Sequence, residues 1–474
     1  MNNANDFYLH LLSKFPFTPT INQDKFLNKI STYIFSSSNN SVYLLKGYAG
    51  TGKTTLISTL VNELQFVKKK YVLMAPTGRA SKVMSNYAKK PASTIHKRIY
   101  FPEKNSSGKM NFVLQQNKFK DTIFIVDEAS MIANNASDKS AFENNNLLDD
   151  LLFYASNGNN CKIIFVGDTA QLPPVNSSLS PALDEKTLNL DYGLEVFQIE
   201  LDEVVRQEEL SGILYNATYL REILRDMFLR DFIFSTKNFK DVINLTDGYD
   251  IQYAIQRSYS EQGVQETTII VRTNKRANLY NKQIRNKILG LESEISVGDI
   301  LMIVKNNYFC LPQTYEAGFI ANGDTIEILE LKKIEYLYNC KFATVVVKMI
   351  DYPNQPSFET VLLLNTINSE SPSLTYEESN QLYQEVIKDY ENEKPYRKLM
   401  KLRNNKYFNA LQVKFAYAVT CHKSQGGQWN TVFLEQPFLP NGPDLEYYRW
   451  LYTAITRAKE KLYLIGFKNS EYEI

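Results

Sequence analysis

Gly47-Tyr48-Ala49-Gly50-Thr51-Gly52-Lys53-Thr54 fits the spacing G-x-x-x-x-G-K-[ST], which suits the holding of a nucleoside triphosphate such as ATP. Glycines let backbone N–H groups close around phosphate oxygens at a helix N-terminus. Lys53 neutralises the β and γ phosphates, and the Thr54 hydroxyl ligates Mg²⁺, with Thr55 next in the same cradle. Only 19 of the 474 residues are glycine, so three within six positions answer a local demand. A glycine-rich turn without function is the competing reading; the apolar run before the loop and the helical pattern after it count against that.

Ile123-Phe124-Ile125-Val126-Asp127-Glu128 is an apolar run ending in two carboxylates. Asp127 suits a Mg²⁺ shell and Glu128 suits orienting and deprotonating a water, so the pair points to hydrolysis; an acidic strand end in solvent is the bland alternative. Gly167 to Pro174 places Gln171 where it would report the γ phosphate, or else forms a plain turn. Arg206, in Leu201 to Gln207, and Arg457, in Tyr452 to Lys459, are candidates for charge delivered across a cleft to the transferring phosphate. A solvated or salt-bridged arginine is the alternative for each.

Such residues need rigid elements behind them. Short aliphatic and β-branched runs at Val42–Lys46, Tyr71–Ala75, Thr122–Asp127 and Lys162–Gly167 alternate with helical patterns, which predicts a parallel sheet covered on both faces. Around Asn105-Ser106-Ser107-Gly108 the rhythm breaks into a hairpin, about 98–119, and Ala133 to Asn146 reads as a surface loop. Gln207 to Phe228 has helical spacing. A second α/β domain is expected over 196–295 and 410–474, with the strand Thr267–Arg272, a helix Asn274–Leu289 and a last strand Leu462–Gly466. Between them, 296–409 reads as an inserted small β-barrel, its strands over Val297–Leu364, with a polar helical extension; the first domain would be 1–195.

Net charge is +1, from 53 basic and 52 acidic residues, so a nucleic-acid site would be a local groove and not a global basic field. Cys161, Cys310, Cys340 and Cys421 are too scattered for a zinc site or a disulfide scaffold, and read as buried thiols in a reducing cytoplasm. Met1 to Lys14 does not look like a secretory signal, and no apolar run approaches the roughly 20 residues of a membrane span, so a cytoplasmic protein is expected.

The ordered series resembles superfamily 1 helicases, and within them the 1B branch that contains RecD and Dda. The matching pieces are Asn22-Gln23, the loop 47–54, Ala75 to Ser81, Ser93 to His96, Asp127 to Ser130, Gly167 to Pro174, Arg206-Gln207, Val419 to Gly426 and Tyr452 to Lys459. They cover roughly 18–206 and 267–467 in one order. The resemblance implies an α/β fold of two RecA-like P-loop motor domains with parallel sheets, the inserted hairpin acting as a wedge and the barrel being SH3-like. It gives Gln23 the adenine, Gln171 the γ phosphate, and Arg206 and Arg457 the role of arginine fingers. Thr77, Arg79, Thr94, His96, Thr420, His422, Lys423 and Ser424 would lie along single-stranded DNA, gripping its backbone. Tyr100, Phe101 and Phe112 of the hairpin are candidates to stack on a base at the fork.

The reading is therefore an ATP- and Mg²⁺-dependent helicase, acting as a monomer on single-stranded and on forked or tailed duplex DNA, with no membrane partner. Polarity, 5′ to 3′, comes from the resemblance alone. The rivals are a translocase or remodeller that never separates strands, a nucleic-acid-binding module with a decayed ATPase, and a preference for RNA. A nuclease is disfavoured for want of a second carboxylate or metal-ligand cluster. Partners in recombination, repair or replication stay open.

Overall fold

The computed structural model describes residues 3–38, 40–104, 110–133, 146–174, 177–204, 211–226, 232–307, 309–311, 319–352 and 354–467. The surface loop expected at Ala133 to Asn146 falls almost wholly outside them, as does Arg206. In chain order the first strands are β1 (Ser41–Gly47), β2 (Lys70–Ala75), β3 (Ala92–Thr94), β4 (Tyr100–Lys104), β5 (Met110–Leu114), β6 (Thr122–Val126), β7 (Lys162–Gly167) and β8 (Glu195–Leu201). All but β4 and β5 form one sheet, ordered β3-β2-β6-β7-β1-β8, with every neighbouring pair parallel.

The central strands β6 and β7 are buried along their whole length, as expected where helices cover both faces. One face packs Phe26, Leu27, Leu56 and Leu60 against Tyr43 and Ile125; the other packs Ile95, Leu148 and Leu151 against Leu44 and Phe124. Registers Leu45 with Val166 and Val126 with Phe165 bring the ends of β1, β6 and β7 side by side, so the glycine loop, Asp127 and Asp168 leave the sheet at one edge. β8 hydrogen-bonds along β1, so the first sheet runs past the boundary expected near residue 196.

β4 and β5 pair antiparallel from Tyr100 with Leu114 to Lys104 with Met110, and their connection lies outside the described residues. Tyr100 is buried, its hydroxyl 2.5 Å from Asp150, which places it at the root and removes it from the stacking candidates. Phe101 is 40% exposed, and nothing is described of the Phe112 side chain.

The second half continues with β9 (Val242–Leu245), β10 (Thr267–Val271), β11 (Ile300–Ile303), β12 (Thr325–Leu337), β13 (Cys340–Met349), β14 (Phe358–Leu363), β15 (Leu411–Phe415), β16 (Ala418–Thr420), β17 (Trp429–Glu435) and β18 (Ala458–Ile465). A second parallel sheet is ordered β16-β10-β17-β18-β9, while β11 to β15 close into a five-stranded barrel. Its closing strand, β15, lies beyond the 296–409 stretch read as the insert, and pairs with both β11 and β14. Sequence periodicity does not separate a barrel strand from a motor strand when only Ala416 and Tyr417 divide the two. Helices Tyr376–Lys388 and Pro395–Arg403 set Leu382, Val386 and Leu402 against Phe342 and Leu363 of the barrel. Among the described residues no helix is long and apolar enough to cross a membrane. The four cysteines are free thiols, Cys161 and Cys421 buried, Cys310 and Cys340 only half-buried.

The barrel is pinned where it leaves the second domain. Arg285 donates to both carboxylate oxygens of Asp299 at 2.8 and 2.9 Å, and Asp299, fully buried, also accepts from Ser296 N and the Tyr417 hydroxyl. Arg285→Ala would leave that carboxylate buried without its counter-charge, so urea unfolding is expected to show a loss of about 3–5 kcal/mol; a change under about 1 kcal/mol would contradict this account of the pin.

Candidate nucleotide site and strand track

The loop after β1 leads straight into the helix Lys53–Glu63, whose first residue is preceded by Gly52 at φ 87°, in the left-handed region that favours glycine. No side chain caps that helix, so its first N–H groups are left to face a cavity of 1340 Å³ between the two α/β domains. Gln23, the loop, Asp127, Glu128, Gln171 and Arg457 all line this cavity. Lys53 Nζ donates to the Gly47 and Tyr48 carbonyls at 2.6 and 2.8 Å, and Gln23 Nε2 donates to Thr51 O at 3.0 Å. Thr54 lies at the surface of the cavity.

Asp127 accepts from the Tyr87 hydroxyl at 2.8 Å and from Glu128 N at 2.8 Å. Burial raises both acidic side chains above the ordinary carboxylate range; the Tyr87 hydrogen bond opposes this at Asp127, and the charge of Arg457 opposes it at Glu128. A bound cation would reverse that balance. Glu128 is itself held at φ 51°, a conformation costing on the order of 1 kcal/mol for a non-glycine residue. Gln171 is 7% exposed and its Oε1 has no partner, although it lines the cavity. A buried acceptor without a donor, an open helix N-terminus and a carboxylate beside Lys53 together fit a Mg²⁺-bound nucleotide.

The second domain reaches across. Tyr452, from the helix Leu445–Ile455, donates its hydroxyl to Asp168 at 2.7 Å and accepts from Ala49 N at 2.9 Å. Thr453 Oγ1 accepts from Leu172 N at 2.8 Å, and Gln425 Nε2 donates to Leu172 O at 2.7 Å, so the loop carrying Gln171 is held from the far side. Arg457 is 2% exposed, tied to Thr453 O and Gly427 O, with Nη1 3.8 Å from Glu128 Oε1. Tyr452 and Gln425 sat inside quoted motifs without being singled out. Tyr87 carries no motif signal, because its partner is 40 positions away.

The track candidates are in three groups. Thr77 and Arg79 open the helix Gly78–Ala88, where the Arg79 guanidinium lies 3.8 Å over the Trp429 ring of the second domain. Thr94 caps the helix Ile95–Ile99 through its hydroxyl, and burial pushes His96 on that helix down to about 4, so its ring is neutral near neutral pH. Thr420 to Ser424 turn out of β16; Thr420 and Ser424 are buried, the Ser424 hydroxyl donates to Cys421 O, and His422 is exposed. Lys423 Nζ is buried without a hydrogen-bond partner, which an anionic backbone would supply.

Fold and geometry thus define a two-domain P-loop protein whose phosphate loop and cross-cleft arginine share one cavity. A model of the AAA domain matches residues 31–177, and one of the UvrD-like helicase C-terminal domain matches 415–465. The RecD subunit of the RecBCD enzyme from Buchnera aphidicola is 27% identical over 90% of this chain and 71% of its own length. The ATP-dependent DNA helicase dda of Enterobacteria phage T4 is 26% identical over 60% of this chain and 62% of its own. An uncharacterized protein of Acanthamoeba polyphaga mimivirus is 25% identical over 92% of this chain and 97% of its own. With the collinear motifs, these matches support a superfamily 1B helicase of the RecD and Dda type.

Burial and the nearby Lys414 push the Lys423 ammonium down to about 8. Its ordinary value is about 10.4, so between about pH 8 and 10.4 the unfolded chain binds the extra proton and stability rises with pH. Lys423→Met is expected to stabilise the chain by about 1–3 kcal/mol near pH 7, an advantage that closes as pH passes about 10. Urea unfolding at both pH values reads this directly, and an advantage independent of pH would refute it.

Proposed function

We propose that this protein is an ATP-dependent DNA helicase that moves 5′ to 3′ along single-stranded DNA and parts the duplex ahead of it. What supports the reading most is the placing of Arg457, from one domain, beside Glu128 of the other across the cavity that holds the phosphate loop. Gln23 takes the adenine, backbone N–H groups of 47–55 and Lys53 take the phosphates, and Gln171 answers to the γ phosphate. Glu128 orients the attacking water and accepts its proton. Arg457, with Arg206 as the second finger, meets the charge that develops on the transferring phosphoryl group. Mg²⁺ held by Thr54 and Asp127 would add positive charge between the phosphates.

Closure on ATP brings the two parts of the track together, and hydrolysis releases them; alternating grips advance the chain. Thr77, Arg79, Thr94, His96, Thr420, His422, Lys423 and Ser424 grip the strand backbone, with Thr94 and Ser424 acting through the local backbone they cap or bond. The hairpin is the wedge and the barrel is read as the SH3-like insert of this branch. One chain supplies both halves of the ATP site, so a monomer suffices. Its setting would be recombination, repair or replication, in a cytoplasmic compartment.

Steady-state ATP hydrolysis with no nucleic acid, with single-stranded DNA and with single-stranded RNA tests the core of this. DNA is expected to stimulate turnover and Lys53→Ala to abolish it; turnover indifferent to both polymers would remove the track. Glu128→Gln should lower kcat by about 10²- to 10⁴-fold while nucleotide still binds. On tailed duplexes only a 5′ tail should support unwinding, and deleting 103–111 should reduce unwinding while translocation persists. Unwinding from a 3′ tail alone would overturn the polarity, and unwinding unaffected by the deletion would overturn the wedge.

A further inference from the structure

A second cavity, of 510 Å³, opens at the root of the β4–β5 hairpin and shares no lining residue with the cleft. Arg98, Phe101, Gln116, Lys118 and Phe119 are among the side chains lining it, and among the described residues no acidic side chain does. In a chain of nearly balanced charge, two cations without a carboxylate are a local bias. The Arg98 guanidinium lies 6.0 Å from the Phe119 ring centre, and its Nε is buried with no hydrogen-bond partner. Lys118 is exposed, and Phe101, which lines the same cavity, is 40% exposed. Cations, amide groups and an uncovered ring within one cavity suit a nucleoside phosphate: charge for the phosphate, an aromatic face for the base.

Its position says which nucleotide. His96 and Arg98 stand two residues apart on the helix Ile95–Ile99, about 200° around its axis and so on opposite sides. The His96 ring lies 5.8 Å from Tyr100 of β4 and 6.4 Å from Phe319 in the β11–β12 connection, whereas Arg98 turns to Phe119. The helix runs directly into β4, so His96 and Arg98 leave it on different sides at the root of the hairpin.

We propose that the cavity holds a nucleotide of the strand excluded by the hairpin, its phosphate between Arg98 and Lys118 and its base against Phe101. The inference rests on the helicase reading, and on the hairpin as the element that parts the strands. A grip on the second strand there keeps it from re-pairing behind the hairpin and orients the fork.

Fluorescence anisotropy with two labelled substrates tests it: a duplex with a 5′ tail only, and a fork carrying both tails. Wild type is expected to bind the fork at least about fivefold more tightly, the worth of one stacked base. Arg98→Gln and Lys118→Glu should each bring the ratio of the two affinities toward one, and flatten the salt dependence of fork binding by about one unit of slope. Lys118 is exposed, so its replacement keeps the test independent of folding. A wild-type ratio near one, whether or not deoxyadenosine monophosphate binds, overturns the assignment to a strand, and so does a ratio that both variants leave unchanged. Absence of any single-strand-stimulated ATP turnover in wild type would instead strike the helicase reading itself.

Discussion

The Tyr452 hydroxyl, between Ala49 N of the phosphate loop and the Asp168 carboxylate, is the contact on which the cleft depends. It is fully desolvated, so its hydrogen bonds act in a low dielectric and losing either partner would strand a buried polar group. Because Tyr452 and Arg457 share one turn and its exit, whatever sets the tyrosine against Asp168 also sets the arginine near Glu128. The cavity is thus completed by one rigid helix of the opposite domain. The same helix contributes Thr453 to the loop that carries Gln171, and Gln425, next to the track residues, grips that loop from the other side.

Several groups around the cleft are held against their own stability. Glu128 has a left-handed backbone, Gln171 keeps an acceptor without a donor, and Lys423 keeps a buried ammonium without an acceptor. Each costs free energy in the folded chain; an anion would satisfy the Lys423 ammonium, and a hydrogen-bond donor or a cation would satisfy the Gln171 oxygen. The barrel joins this arrangement at Gly78. A side chain there would come within 2.0 Å of Asp324 Oδ1, so only glycine lets the start of the Gly78–Ala88 helix meet the barrel, one residue from Thr77 and Arg79. The barrel therefore touches the first α/β domain beside Thr77 and Arg79.

Much of this was legible in the residues. The strand runs ending at Gly47, Asp127 and Gly167 are largely apolar because both faces of a parallel sheet are buried, and their ends mark the site edge. Gln23, Lys53, Asp127, Glu128, Gln171 and Arg457 do converge on one cavity. What the pattern hides is pairing. Nothing local distinguishes β8 as an edge strand of the first sheet, or β15 as the stave that closes the barrel, because each is chosen by partners far off in the chain. Tyr87 and Trp429 escape for a related reason: an aromatic residue looks like core until its partner elsewhere in the chain is known.

The central claim is that one closure serves both the nucleotide and the strand, and linkage gives it a direct test. The affinity for a non-hydrolysable ATP analogue would be measured without and with saturating single-stranded DNA, and the affinity for the DNA without and with saturating analogue. The account predicts that each ligand tightens the other by the same factor, roughly 5- to 150-fold. A factor of one in both directions would mean that the two ligands do not share the closed state, and would contradict it.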